Sequence, residues 1–252
     1  MNDESCISEI MAKRHNTQFF SDKVPDKSLV EKILKDAHTL TPHKNNFYRY
    51  KVNVWGPEHK EQKRLIGICS VSTKTFYQKN PTEENFKKLE NIFDRWISKE
   101  NALKGYPPVD GCLFNSQVLA PYLLVYTHNP FYKTKSQIEN VSPCWHKLFS
   151  NRINDPEDLD WIIQASMHGI TTSYLCAEKN LRASFCRCLF SDENLTKRVN
   201  KPRDSSILLN SSSVKKEITF LLGIGYSDEN LTIDRYLSPI IKPKFDEIVE
   251  WK

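Results

Sequence analysis

The chain has 252 residues, room for one large domain or two small ones. Hydrophobic residues make up 39% and aromatics 11%, enough for a real core, and the net charge of +5 comes from 36 basic against 31 acidic residues. That excess is spread along the chain, whereas nucleic-acid binders gather Lys and Arg on one face or in one run, so composition disfavours nucleic acid as a partner.

The opening Met1-Asn-Asp-Glu-Ser is acidic and polar, unlike a signal peptide, and no stretch of about 18 apolar residues is present to span a membrane. Cytoplasmic localisation is the expectation. The seven cysteines are scattered, which reads as reduced thiols. Cys186 and Cys188 would share one face of a strand, a spacing that suits buried thiols better than a metal site, and no metal is expected.

Ile7, Ile10 and Met11 recur at helical spacing, which predicts a first helix over residues 4–14. Val24-Pro-Asp breaks the chain. Ser28 and Glu31 form a capping box for a second helix, whose stripe is Leu29, Ile33, Leu34, Ala37 and Leu40. That helix should stop at Thr41-Pro42, because the residue before proline leaves the helical region. Tyr48, Tyr50, Val52 and Val54 alternate with polar residues as in a half-buried strand.

Residues 81–98 carry Phe86, Leu89, Phe93, Trp96 and Ile97 on one helical face, and Tyr106-Pro-Pro reads as a loop. Pro121–Thr127 is a near-continuous apolar run, as expected of a strand buried on both faces. Residues 159–178 are apolar nearly all round, with small Ala165, Ser166 and Gly169, which predicts a central buried helix. Ala183–Leu189 and Ile218–Tyr226 read as strands, 197–213 as a polar loop, and 235–252 lacks periodicity and suits an extended arm. Helices and strands do not alternate regularly enough for a doubly wound sheet, so an α+β layered domain is expected.

Two terminal segments carry chemistry. Arg14-His-Asn-Thr-Gln-Phe-Phe20 offers a guanidinium, an imidazole and an amide ahead of two aromatics, and Lys242-Pro-Lys244 offers two ammonium groups near the other end. Arginine can grip phosphate with two parallel hydrogen bonds, and two lysines complete a set sufficient for a phosphomonoester dianion. No catalytic triad, carboxylate pair or phosphate loop is recognisable, and Gly223-x-Gly225 is only a strand-end pair.

In their order along the chain these pieces resemble the nitroreductase family of flavin mononucleotide (FMN) enzymes. Lys13–Phe20 is similar to the family's opening Arg-(Arg/His)-Ser-x-(Arg/Lys)-x-Phe, and Ala37–Asn46 to its Ala-x-x-x-Pro-Ser-x-x-Asn. Ala120-Pro121, the Ala165–Tyr174 helix and Leu222-Gly-Ile-Gly-Tyr226 also fit, as does the ending Lys242–Trp251. The resemblance implies one domain over 1–252: an α+β fold with a mainly antiparallel central sheet flanked by helices, assembled as an intertwined homodimer. It further implies helical insertions at about 56–112 and 128–158 and a C-terminal arm over 235–252 that wraps the neighbour. Arg14, His15, Asn16, Gln18, Lys242 and Lys244 would hold FMN. Pro42, His43, Lys44 and Asn46 would reach the flavin of the partner subunit, and Cys186 and Arg187 would lie near its reacting edge. NAD(P)H and a small aromatic acceptor are the implied reactants, with the flavin carrying the hydride chemistry. Related reactions (dehalogenation, desaturation, flavin cleavage) and a non-enzymatic remnant remain as alternatives.

Two departures from the pattern have consequences. Gln18 stands where relatives carry a cation near the flavin edge that gains negative charge on reduction. A neutral donor stabilises that charge less, so the reduction potential should be low, and Gln18→Lys should raise it. An unchanged potential in the variant would count against this role. Arg187 stands where an acidic residue is common. If it binds an anionic substrate, Arg187→Ala should raise KM for a phosphate-bearing substrate while flavin content stays constant; joint loss of both would reject that role.

Overall fold

The computed structural model describes residues 4–14, 17, 20–42, 48, 50–69, 84, 87–88, 90–91, 94, 116–128, 160–186, 218–227 and 245–249. Helix α1 (Glu4–Lys13) and helix α2 (Lys27–Leu40) form where the apolar spacing placed them. The capping box does not form. Asp26 occupies the cap position without a side-chain hydrogen bond, and the Val30 N–H already bonds to its carbonyl at 3.1 Å. Ser28 therefore lies inside the first turn, where its hydroxyl cannot act from outside the helix. Val30, Ile33 and Ala37 are the buried stripe, while Leu40 is 62% exposed, contrary to expectation, because it sits at the last turn beyond the core. The helix stops where predicted. Thr41 is extended (ψ 121°), and its hydroxyl donates to the Ala37 carbonyl at 2.6 Å.

Strand β1 (Tyr50–Trp55) is followed by a short 3-10 turn (Pro57–His59) and helix α3 (Lys60–Cys69). A second 3-10 turn (Ser116–Leu119) leads into strand β2 (Tyr122–His128). Helix α4 (Asp160–Glu178), strand β3 (Arg182–Cys186), strand β4 (Ile218–Gly225) and the short helix α5 (Phe245–Ile248) complete the described elements. The predicted helix over 81–98 falls mostly outside the described residues, as do the loops at 106–108 and 197–213.

The four strands form one antiparallel sheet in the order β1-β2-β4-β3. The two apolar runs, β2 and β4, are its centre and are buried on both faces. One face presents Tyr50, Tyr122, Leu124, Tyr126, Phe220, Leu222 and Ile224 to α4 and α2, and this is the main core. Gly169 of α4 lets the helix settle on that face: an added Cβ there would lie 2.9 Å from the Phe220 ring and 3.0 Å from Phe185. Val54 belongs to this face by alternation but is 41% exposed, since β1 is an edge strand and its end lies beyond the helical cover. Leu123, Val125 and Leu221 face the opposite side and are equally buried. Part of that side is covered by the Ser116–Leu119 turn and Phe20, which crowd against Gly223.

Helix α4 is not buried all round. Its core side carries Gln164, His168, Thr172 and Ser173, while Ile163, Met167 and Ile170 are 56%, 36% and 38% exposed. Two of these polar groups are accommodated by hydrogen bonds: Tyr126 Oη lies 2.9 Å from His168 Nδ1, and Thr172 donates to the His168 carbonyl, whereas the buried Ser173 hydroxyl has no partner among the described residues. Burial drives the Tyr126 phenol well above the ordinary tyrosine range and the Cys176 thiol up to about 12, so neither ionises near neutral pH. The helix ends in a Schellman turn. Asn180 takes the left-handed conformation (φ 57°), and the N–H groups of Asn180 and Leu181 bond to the carbonyls of Ala177 and Cys176. That turn sends the chain straight into β3.

Candidate functional site

The terminal motif that begins at Arg14 follows α1 directly. The Arg14 N–H closes the last turn on the Met11 carbonyl at 3.2 Å. The Lys13 carbonyl, two residues on, is one of those a helix leaves without an internal donor. Here it accepts a 2.8 Å hydrogen bond from Nη1 of Arg182, the first residue of β3. At the other end of the motif, Phe20 forms an isolated antiparallel bridge with Ser227, just beyond β4. The Ser21 N–H donates to the Tyr226 carbonyl at 2.9 Å, and the Lys23 ammonium sits 4.4 Å above the Tyr226 ring. Arg182 pairs with Gly225 across the β3–β4 ladder. Both ends of the Arg14–Phe20 segment are thus fastened to the same corner of the sheet.

Gly225 has a packing role at that corner. A Cβ there would stand 2.7 Å from Pro121 Cδ and 2.8 Å from Phe20 Cδ1. The Gly-x-Gly pair, legible in sequence only as a strand end, is where the chain from Phe20 and the Ala120-Pro121 turn cross closely over β4.

Of the residues expected to hold a cofactor, three are described. Arg14 is half-buried at the end of α1. Pro42 is exposed, immediately after the Thr41 cap of α2. Cys186 is buried at the end of β3, in a cross-strand row with Leu221, Val125 and Asn53, and is not in a disulfide. His15, Asn16, Gln18, His43, Lys44, Asn46, Arg187, Lys242 and Lys244 lie outside the described residues. On either side of residues 43–46, Thr41 is anchored on α2, and the Tyr48 ring lies 5.0 Å from the His38 ring of the same helix.

Sequence patterns did not signal two cations beside this corner. Arg182 opens a strand, where arginine has no special meaning. Lys63 lies on an amphipathic helix, where lysine is ordinarily a surface residue. Yet Lys63 is 2% exposed, and its ammonium donates to the carbonyls of Ala120 and Pro121, each at 2.9 Å. Burial pushes its pKa down to about 8, against an upward pull from Glu58. The same turn holds Gln117, whose amide donates to the Phe185 carbonyl at 2.9 Å. The structure therefore ties α3, the turn before β2 and the end of β3 into one support behind the corner.

An antiparallel sheet with helices layered on it defines an α+β protein, and comparison with solved structures resolves the class further. A nitroreductase family protein from Streptococcus pneumoniae is 16% identical, with a TM-score of 0.53 over 97% of this chain and 99% of its own. A nitroreductase-like family protein from Bacillus cereus is 14% identical, with a TM-score of 0.58 over 100% of this chain and 98% of its own. The FMN and NADPH-dependent nitroreductase NfnB from Sphigopyxis sp. strain HMH is 13% identical, with a TM-score of 0.55 over 98% of each chain. No family model and no curated protein matches. The chain has the nitroreductase fold, so the resemblance read from its motifs is borne out at the level of architecture. Among the described residues, no helix is long and apolar enough to cross a membrane.

Proposed function

We propose that this protein is an FMN-dependent oxidoreductase acting as a homodimer. The observation that carries the proposal is the fastening of the Arg14–Phe20 segment, at both ends, to the β3–β4 corner of a nitroreductase fold. A phosphate site needs donors held in fixed geometry, and the fastenings at Lys13 and Phe20 support that reading. The segment's charge and hydrogen-bonding groups fit a phosphomonoester.

In this function Arg14, Lys242 and Lys244 neutralise the phosphate, and His15, Asn16 and Gln18 offer further hydrogen bonds to the cofactor. Pro42, His43, Lys44 and Asn46 reach across to the cofactor of the partner subunit, while Cys186 and Arg187 close the reacting edge. Bound FMN supplies hydride transfer from NAD(P)H to a nitroaromatic, quinone or similar acceptor, so the chain itself has to bind, orient and exclude water. The dependence of NfnB on FMN and NADPH supports this choice of reactants. Of the insertions at 56–112 and 128–158, the part beyond α3 acts as a lid on the acceptor side, and the arm at 235–252 embraces the neighbour. The dimer is favoured by α4, whose apolar Ile163, Met167 and Ile170 face outward while Gln164, His168, Thr172 and Ser173 are buried.

The absorption spectrum of the purified protein is the direct test. A yellow protein with flavin bands, reduced rapidly by NADH or NADPH in a stopped-flow mixer, is the expected result. Failure to take up added FMN would sink the proposal. Flavin that neither nucleotide reduces would turn the case toward the non-reductase reactions of the superfamily.

A further inference from the structure

We infer that Arg182 is a positioning residue for the cofactor phosphate, one that makes the site prefer a phosphorylated flavin over an unphosphorylated one. The inference rests on the FMN site proposed above and concerns a residue outside the donor set of that site.

Helix α1 ends at Lys13, immediately before Arg14. The free carbonyls at a helix C-terminus carry partial negative charge, equivalent to roughly half an elementary charge for the whole helix. A phosphate dianion gripped by the very next residue would meet that field at close range. The fold answers with Arg182, whose guanidinium donates at 2.8 Å to the Lys13 carbonyl. A charged donor on that oxygen opposes the helix-end field. It also fixes the backbone from which the Arg14 side chain departs.

The anchor is rigid on its own side. Arg182 follows the Schellman turn at Asn180 and buried Leu181, and it is locked into the β3–β4 ladder opposite Gly225. The opposite end of the Arg14–Phe20 segment is held by the Phe20–Ser227 bridge. Removing the guanidinium therefore takes away the tie between the end of α1 and β3, and leaves the Phe20–Ser227 bridge in place. The loss should fall on the phosphate contact and spare the stacking and edge contacts of the isoalloxazine ring.

The test is a pair of binding titrations, FMN and riboflavin, on the full chain, followed by flavin fluorescence. Wild type should bind FMN at least tenfold more tightly than riboflavin. Arg182→Gln should weaken FMN by about tenfold or more and change riboflavin by less than about twofold, since that ligand has no phosphate to lose. Arg182→Lys, which keeps a charged donor able to reach the carbonyl, should recover most of the lost FMN affinity. Equal weakening of both ligands would mean a merely structural arginine and overturn the inference, as would FMN affinity left unchanged. If Arg182→Gln does not fold, the lysine variant decides by the same two affinities. A wild-type chain that binds both flavins, but equally, rejects the phosphate role while leaving the flavin site standing. A chain that binds neither removes both.

Discussion

Gly223→Ala is expected to cost about 3 kcal/mol of stability, at the upper end for an overpacked core position. The added methyl would collide with the main-chain carbonyl oxygen of Gln117 and stand 2.8 Å from the Ala120 Cβ. Neither can swing aside as a flexible side chain would. Gln117 is tethered through its amide to the Phe185 carbonyl, and the Ala120 carbonyl is held by Lys63. Relief would require moving the whole turn away from the central strand, with loss of contacts over Leu123 and Leu221. For a chain of this size such a change corresponds to a fall in Tm of about 10 °C. Gly225→Ala meets Pro121 and the Phe20 ring, both side-chain obstacles, so its stability cost should be smaller. Its effect should appear instead as weaker flavin binding, because Phe20 is one fastening of the Arg14 segment. Urea denaturation of the two variants checks the order; a Gly223→Ala protein within about 1 kcal/mol of wild type would show that the crossing is not tight.

Lys63→Met is expected to destabilise at neutral pH by about 2–4 kcal/mol, and the deficit should grow as the pH rises. The first part follows from the two carbonyls the ammonium serves: deleting their donor leaves two buried acceptors unsatisfied, at about 1–3 kcal/mol each, offset in part by removal of a desolvated charge. The second part follows from linkage. The folded lysine titrates near pH 8, below the ordinary value of 10.5. Between those values the unfolded chain binds the extra proton, so stability conferred by the wild-type lysine rises with pH across that window. The burial penalty on the charged form is present below pH 8 and relieved above it, and the neutral amine still has two N–H groups for the two carbonyls. The gap between wild type and variant should widen by up to about 3 kcal/mol from pH 7.5 to 10.5. Other titrating groups are common to both proteins and cancel in the difference. A gap that stays flat, or narrows, over that range would show that the amine is hydrated and not buried.

Much of the architecture was legible in the sequence because it is local. The spacing of Ile33 and Ala37, the stop imposed by Pro42, and the apolar runs of β2 and β4 each depend on a few consecutive residues. The order of the motifs along the chain was enough to reach the nitroreductase fold. Errors arose where a long-range contact decided the outcome. Helix α4 looked buried all round because composition cannot tell which apolar face the fold covers; His168 and Thr172 went inward because Tyr126 and a helix carbonyl satisfy part of their polar demand. Val54 alternated correctly but ran out of covering helix.

The candidate site divides in the same way. Arg14, with its neighbours on the segment to Phe20, could be singled out from residue type alone, because guanidinium and amide groups in that spacing suit an oxyanion. What fastens the segment could not be read there: Arg182 is 169 positions from its Lys13 partner, and Phe20 finds Ser227 only through the sheet. Composition and periodicity determined which elements form and which chemistry the chain can offer. Tertiary structure alone decided where those groups stand, since a hydrogen bond between distant residues depends on the path of the whole chain and leaves no periodic trace in either partner.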